Sequence, residues 1–143
     1  MKVGDIMKTQ IVKIGPEESA AVAARTLTQY HVGVLPVCRE NGRLCGVVTD
    51  RDLVTRCVAA DRSPETTSVK TIMTGQVISV TPETETESAA ALMEGKRIKR
   101  LPVVSDGKLC GMVSMADLSG MTEGAFSEWE AVIGVWRGDR ESM

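Results

Sequence analysis

Aromatic and imidazole side chains are almost missing from this chain of 143 residues: one His, one Tyr, one Phe and two Trp. A single histidine, His31, leaves little for general-base chemistry and cannot complete a typical zinc set. The four cysteines (38, 45, 57 and 110) form no Cys-x-x-Cys pair, so no metal site and no redox motif is expected. There is no Gly-rich phosphate loop ending in Gly-Lys-Ser/Thr and no Ser/His/Asp set, which argues against an enzyme. No apolar run is long enough to span a membrane. Met1-Lys2-Val3-Gly4-Asp5 leads into polar residues rather than a secretory signal, so the expected location is the cytoplasm. Net charge is −2, so no global field draws in nucleic acid.

What the chain does have is said twice. Leu44-Cys45-Gly46-Val47-Val48-Thr49-Asp50-Arg51-Asp52-Leu53 returns as Leu109-Cys110-Gly111-Met112-Val113-Ser114-Met115-Ala116-Asp117-Leu118. Each copy runs an apolar strand into Thr or Ser, with Asp three residues later, and each follows a Leu-Pro-Val (35–37 and 101–103). Residues 3–40 align with 69–106 and 42–53 with 107–118, giving 18 identities in 50 pairs. Unrelated segments of average composition would match at roughly one in sixteen. Two units of this size, each too small for a good core alone, are expected to pack on each other.

Within each unit the pattern predicts a short helical turn (Val3 to Met7, again Val69 to Met73), a β-branched strand (Ile11 to Ile14), and an Ala-rich helix from Ala20 to about His31, with Ser19 as N-cap. A hairpin follows, Leu35–Cys38 and Leu44–Val48 around Glu40-Asn41-Gly42, then a second helix from Asp50 to about Ala60. The polar stretch before Val69 reads as a linker. The expected division is 1–61, linker 62–68, 69–121 and a C-terminal extension 122–143. Cys45 and Cys110 hold the same place beside a strand glycine, where buried free thiols fit better than a redox pair. In the extension, Ser127-Glu128-Trp129-Glu130 has capping-box spacing, and Phe126, Trp129, Ile133 and Trp136 form one apolar helix stripe. That helix either folds back on its own domain or docks on another subunit or partner.

The order Ile-Met, strand, Pro, Ala-rich helix, Leu-Pro-Val, Gly-x-Leu-x-Gly-Val-Val-Thr-x-x-Asp-Leu resembles the cystathionine β-synthase (CBS) domain, and two in tandem resemble a CBS pair, or Bateman module. The resemblance runs from Val3 to Leu118, and the extension has no counterpart in it. It implies an α+β fold of two βαββα repeats packed about a pseudo-twofold axis, here followed by a short C-terminal helix. It further implies a non-catalytic regulatory module that takes adenine nucleotides (AMP, ADP, ATP) or S-adenosylmethionine in the cleft between repeats, serves an unidentified regulated protein, and assembles as a homodimer.

The residues themselves allow two readings of Thr49-x-x-Asp52. Hydroxyl and carboxylate three residues apart cap a helix start. The same helix start, with its unpaired N–H groups, suits a phosphate, and a nearby carboxylate suits a ribose. The resemblance assigns phosphate to Thr49 and Ser114 and ribose to Asp52 and Asp117. It places the base against Ile11, Val12 and Val37, or Val77, Ile78 and Val103, with recognition mostly by main chain. Lys96-Arg97-Ile98-Lys99-Arg100 is the strongest cationic cluster, and it reads alone as a solvated helix end. The resemblance makes Arg100, with Lys99 before it, a phosphate contact, whereas the first repeat has Gly33 and Val34 there. Under crossed pairing of the units, Lys99 and Arg100 are expected to serve the Thr49/Asp52 site, which would then bind tighter than the Ser114/Asp117 site. As a nucleic-acid binder, one short basic run on an acidic protein would give only weak, salt-sensitive affinity. A ligand-free dimerisation module remains if both Asp motifs only cap helices.

Because the extension lies outside the repeat, deletion of residues 125–143 is expected to leave the repeats folded. Far-UV circular dichroism and solubility of the shortened chain check this; an insoluble product would make the extension part of the core.

Overall fold

The computed structural model describes residues 1–119. The stripe of Phe126, Trp129, Ile133 and Trp136 lies outside them.

A 3-10 turn, Val3–Asp5, opens the chain. Helix α1, Ala20–Tyr30, begins at Ser19, whose Oγ accepts the Val22 N–H at 3.1 Å, and stops at His31, which adopts a left-handed conformation (φ 54°). Strands β1, Val34–Cys38, and β2, Leu44–Thr49, form an antiparallel hairpin. Helix α2 starts as α-helix over Asp50–Asp52 and widens into a π-helix over Leu53–Val58. The second repeat gives α3, Val69–Ile72, α4, Thr86–Lys96, then the hairpin of β3, Arg100–Ser105, and β4, Lys108–Ser114, and finally α5, Met115–Ser119. α4 ends like α1, on a left-handed residue, Arg97 (φ 56°). The stretch before α3 is not slack. Carbonyls of Thr67 and Pro64 accept the N–H groups of Ala20 and Ala21 (2.8 and 3.0 Å), satisfying donors that a helix start leaves unpaired.

The strand expected over Ile11–Ile14 is reduced to one residue. Ile14 bridges Val37 in parallel: its N–H donates to the Pro36 carbonyl (3.0 Å) and its carbonyl accepts from Cys38 (2.9 Å). Val80 does the same at Val103. One rung further, the ladder would need an N–H from Pro36 or Pro102, which proline lacks. Each sheet is therefore two-stranded, and 11–13 and 77–79 run past it unladdered.

Two cores result, and each borrows from the other repeat. The first gathers Ile14, Ala20, Ala23, Leu27, Leu35, Val37, Val48 and Cys57, together with Val69 and Ile72 of α3. The second gathers Val80, Ala89, Met93, Leu101, Val103, Val113 and Leu118, together with Val3. The crossing is held by matched backbone bonds. Val69 and Lys70 N–H donate to the carbonyls of Glu18 and Pro16 (2.8 and 3.0 Å), Val3 and Gly4 N–H to those of Thr84 and Pro82 (2.8 and 2.9 Å). Full burial of each of these valines stabilises the fold by about 1.5–3 kcal/mol.

Behind each crossed turn the chain runs along the other repeat's hairpin. Thr74 exchanges two backbone bonds with Val47, and Lys8 two with Met112. Strand glycines make this approach possible. A Cβ at Gly46 would lie 2.7 Å from Met73 Sδ and 2.8 Å from the Thr74 carbonyl oxygen; one at Gly111 would lie 2.5 Å from Met7 Sδ and 3.1 Å from the Lys8 carbonyl oxygen. The hairpin tips also meet, Leu44 N–H donating to the Gly107 carbonyl (3.1 Å) and Leu109 N–H to that of Gly42 (3.0 Å).

All four cysteines are unpaired with one another. Cys45 and Cys110, both half-buried, direct Sγ to the carbonyls of Val37 and Val103 at 3.3 Å. Burial pushes the Cys38 thiol above its ordinary pKa, with Lys13 opposing.

Two expectations follow. Gly46→Ala should lower unfolding free energy by about 1–3 kcal/mol through overpacking, whereas Gly75→Ala, with nothing near its new methyl, should stay within about 0.5 kcal/mol; urea titrations of both variants check the contrast. Cys38 in the native protein should be alkylated more slowly at pH 8 than a free thiol, because its thiolate is scarcer there. Its rate should keep climbing to higher pH, as read by mass spectrometry of iodoacetamide-treated protein.

Candidate functional site

At the ends of the hairpins away from their joined tips, the two repeats enclose a cavity of about 670 Å³. Its walls are paired across the pseudo-twofold axis. His31, Gly33, Val34 and Thr49 come from the first repeat, and Arg97, Lys99, Arg100 and Ser114 hold the corresponding places in the second. Local chain chemistry puts them there. The left-handed residues that terminate α1 and α4 turn the chain sharply, and the next few residues reach the strand edge beside the following helix start. The Asp50 N–H donates to the Gly33 carbonyl (3.1 Å) and the Met115 N–H to the Lys99 carbonyl (2.8 Å). Val77 and Ile78, left unladdered, also face the cavity, and Thr74 and Gln76 line the same side.

Of the residues expected at a site, Thr49, Lys99, Arg100, Ser114, Val77 and Ile78 line this cavity. The others do not. Val37 and Val103 are fully buried in the two cores and present no surface to a ligand. Ile11 and Val12 are half-buried, Val12 against the first core, and neither lines the cavity wall.

The two Asp side chains act first as caps. Asp52 accepts the Thr49 N–H at 3.0 Å through Oδ2, and Thr49 Oγ1 accepts the Asp52 N–H at 3.0 Å. Asp117 and Ser114 repeat the exchange at 2.9 and 3.1 Å. Beyond that they differ. Asp52 is buried, its carboxylate 3.4 Å from the Thr74 hydroxyl and 3.8 Å from Arg56 Nε. Asp117 is more open and faces Lys8 Nζ at 3.7 Å. Lys8 and Thr74 are equivalent positions of the two repeats, and Arg56 is matched in the alignment by Met121, so two substitutions separate the two carboxylate environments. A smaller hollow of about 90 Å³ joins Lys8, Arg100, Ser114 and Asp117.

Lys99 and Arg100, expected to serve Thr49/Asp52, line the one cavity that Thr49 and Ser114 share, and the strand register sets their backbone beside Ser114. Arg100 pairs directly with Ser114 on the adjacent strand, just as Val34 pairs with Thr49. A hairpin fixes both ends of its own strands. The residues before Leu-Pro-Val therefore stand beside the helix start of their own repeat, and the cations collect on the Ser114/Asp117 side. The charge of the lining is unevenly shared: Arg97, Lys99 and Arg100 all come from the second repeat, and the acidic Asp50 comes from the first. Such an enclosure has room for a nucleoside-sized molecule, cations for its anionic end and apolar groups for its other end.

Comparison with known proteins agrees with this architecture. The sequence pattern of the CBS domain matches residues 3–59 and again 69–121. A CBS domain-containing protein of Bacillus subtilis, YhcV, is 37% identical over 117 residues, which is 82% of each chain. Among solved structures, CBSX2 in complex with AMP superposes with a TM-score of 0.73 at 30% identity, covering 83% of this chain and 93% of that one. The CBS domain pair of protein MJ0100, in complex with 5′-methylthioadenosine and S-adenosyl-L-methionine, superposes at 0.72 with 26% identity, covering 87% and 97%. With the repeat matched twice and a relative alike over four-fifths of its length, this chain belongs to the CBS domain family.

Proposed function

We propose that this chain is a regulatory module whose inter-repeat cavity binds an adenine nucleotide or a related adenosyl compound, and that it performs no chemistry on it. The carrying observation is the cavity itself: paired hydroxyl-bearing helix starts, Thr49 and Ser114, with Arg97, Lys99 and Arg100 gathered on one side. The AMP complex of CBSX2 and the adenosyl complex of MJ0100 support the reading by likeness. In it, Arg100 and Lys99 hold phosphate beside the Ser114 helix start, and Val77 and Ile78 flank the base. Residues 1–121 act as one ligand-binding unit. The one-sided charge favours ATP, ADP or AMP over the sulfonium cation of S-adenosylmethionine. The module works in the cytoplasm as a homodimer and acts on a partner protein through its occupancy. Among the described residues no helix is long and apolar enough to cross a membrane.

A second reading has its own observation. The carboxylates of Asp52 and Asp117 are both engaged in capping, as they would be in a dimerisation module without a ligand.

Thermal-shift titration with AMP, ADP, ATP, S-adenosylmethionine and NAD separates the two, because selective binding raises apparent stability. The proposal expects a saturable shift with at least one adenine nucleotide. A charge-assisted bond to phosphate is worth about 1.5–3 kcal/mol, so Arg100→Ala should weaken that nucleotide roughly ten- to a hundredfold. Asp52→Ala should act differently, lowering the melting temperature of the protein before any ligand is added. No shift with any of the five at millimolar concentration would select the ligand-free module.

A further inference from the structure

The span 75–79 is tied at both ends to a hairpin. Thr74 exchanges two backbone bonds with Val47 of the first repeat, and Val80 bridges Val103 of the second. Between those anchors, Gln76, Val77 and Ile78 all line the cavity. Their main-chain groups make no backbone hydrogen bond to the described residues. The first repeat has the same span and the same glutamine, Gln10, between bridges at Lys8 and Ile14, but Gln10 is not part of the cavity wall.

Hydrogen-bonding capacity sets Gln76 apart from the rest of the lining. Arg97, Lys99 and Arg100 only donate, and the Asp50 carboxylate only accepts. The hydroxyls of Thr49 and Ser114 take the N–H groups of Asp52 and Asp117, and the Thr74 hydroxyl lies 3.4 Å from the Asp52 carboxylate. His31 carries its two nitrogens on diverging sides of the ring. Within this lining only Gln76 sets an acceptor and a donor side by side, and its carboxamide has no partner among the described residues.

That pair matches one edge of one kind of base. Adenine offers an amino donor at N6 beside an acceptor at N7, the edge that a carboxamide engages with two bonds. A 6-oxopurine offers two acceptors there, so the carboxamide oxygen meets another oxygen. We infer that Gln76 selects the base in this cavity, its Oε1 accepting from the 6-amino group of adenine and its Nε2 donating to N7, while Val77 and Ile78 flank the ring. This rests on the nucleotide reading above and deepens it. Recognition that the family resemblance leaves to the main chain gains a side chain, one that turns away nucleotides of hypoxanthine and guanine.

Isothermal titration of the full chain with AMP, IMP and 7-deaza-AMP tests the inference in wild type, Gln76→Leu and Gln76→Arg, each variant first checked for native circular dichroism. IMP replaces the 6-amino group by an oxygen and a ring proton, and 7-deaza-AMP lacks the N7 acceptor. Wild type should bind AMP about five- to a hundredfold more tightly than IMP, the discrimination given by one two-bond pair. It should bind AMP about two- to tenfold more tightly than 7-deaza-AMP, the worth of one neutral hydrogen bond. Gln76→Leu should weaken AMP to the level of IMP and leave IMP within about threefold of its wild-type affinity. Gln76→Arg supplies two donors to N7 and O6 and should turn the preference to IMP. The ratio is the readout, because the added charge strengthens both nucleotides alike. A wild-type chain that binds none of the three would overturn the nucleotide reading and this inference with it. AMP bound no better than IMP by wild type would leave that reading standing and overturn this one. So would a preference for AMP that survives in either variant, which would give the base to the main chain. Equal binding of AMP and 7-deaza-AMP by wild type would take N7 out of the contact and overturn it too.

Discussion

The packing of Met73 and Thr74 against Gly46, with Met7 and Lys8 against Gly111 as its counterpart, is the contact on which the rest depends. It lets the segment after each opening turn lie on the other repeat's hairpin at backbone distance. Val3 and Val69 are then delivered into cores formed mainly by the opposite repeat. With the turns exchanged and the hairpin tips joined, the strand ends facing away are held apart at a set spacing. The cavity between them is a product of that spacing.

Much of this was legible in the residues, and the reasons are physical. Ser19 announces α1 because a hydroxyl before an alanine run has a helix donor to satisfy. Asn41-Gly42 announces the hairpin, and Gly42 does sit at positive φ (86°). The duplicated Thr/Ser-x-x-Asp motif announces two helix starts, and both form as reciprocal caps. Thr49, Ser114, Lys99 and Arg100 were therefore findable as cavity residues from the repeat and the resemblance together.

The rest was hidden for equally definite causes. Val3-x-x-Ile6 and Val69-x-x-Ile72 have the same pattern, so nothing in them says which core each enters. Strand β1 is buried on both faces from Leu35 to Cys38, and without alternation Val37 could not be assigned to core or cleft. Ile11 to Ile14 has strand composition, but its ladder is stopped by a proline more than twenty residues away, an effect invisible to local propensity. That Lys99 and Arg100 stand beside the helix start of their own repeat is a matter of strand register rather than of residue type. Nothing in residue type marks Thr74 or Gln76 as cavity residues. His31 is different, because it precedes Gly33 and Val34 and is equivalent to Arg97, both at helix ends.

The exchange of opening turns carries an implication for descent. One repeat alone gives its first turn to a core that it does not own, and its own core waits for a turn from elsewhere. A lone copy could close only by trading turns with a twin, so the smallest ancestor able to fold in this way is a symmetric pair of single-repeat chains. A chain that carries both copies frees the halves from identity. Lys8 opposite Thr74, Arg100 opposite Val34 and Val58 opposite Glu123 are differences that two identical chains could not have held.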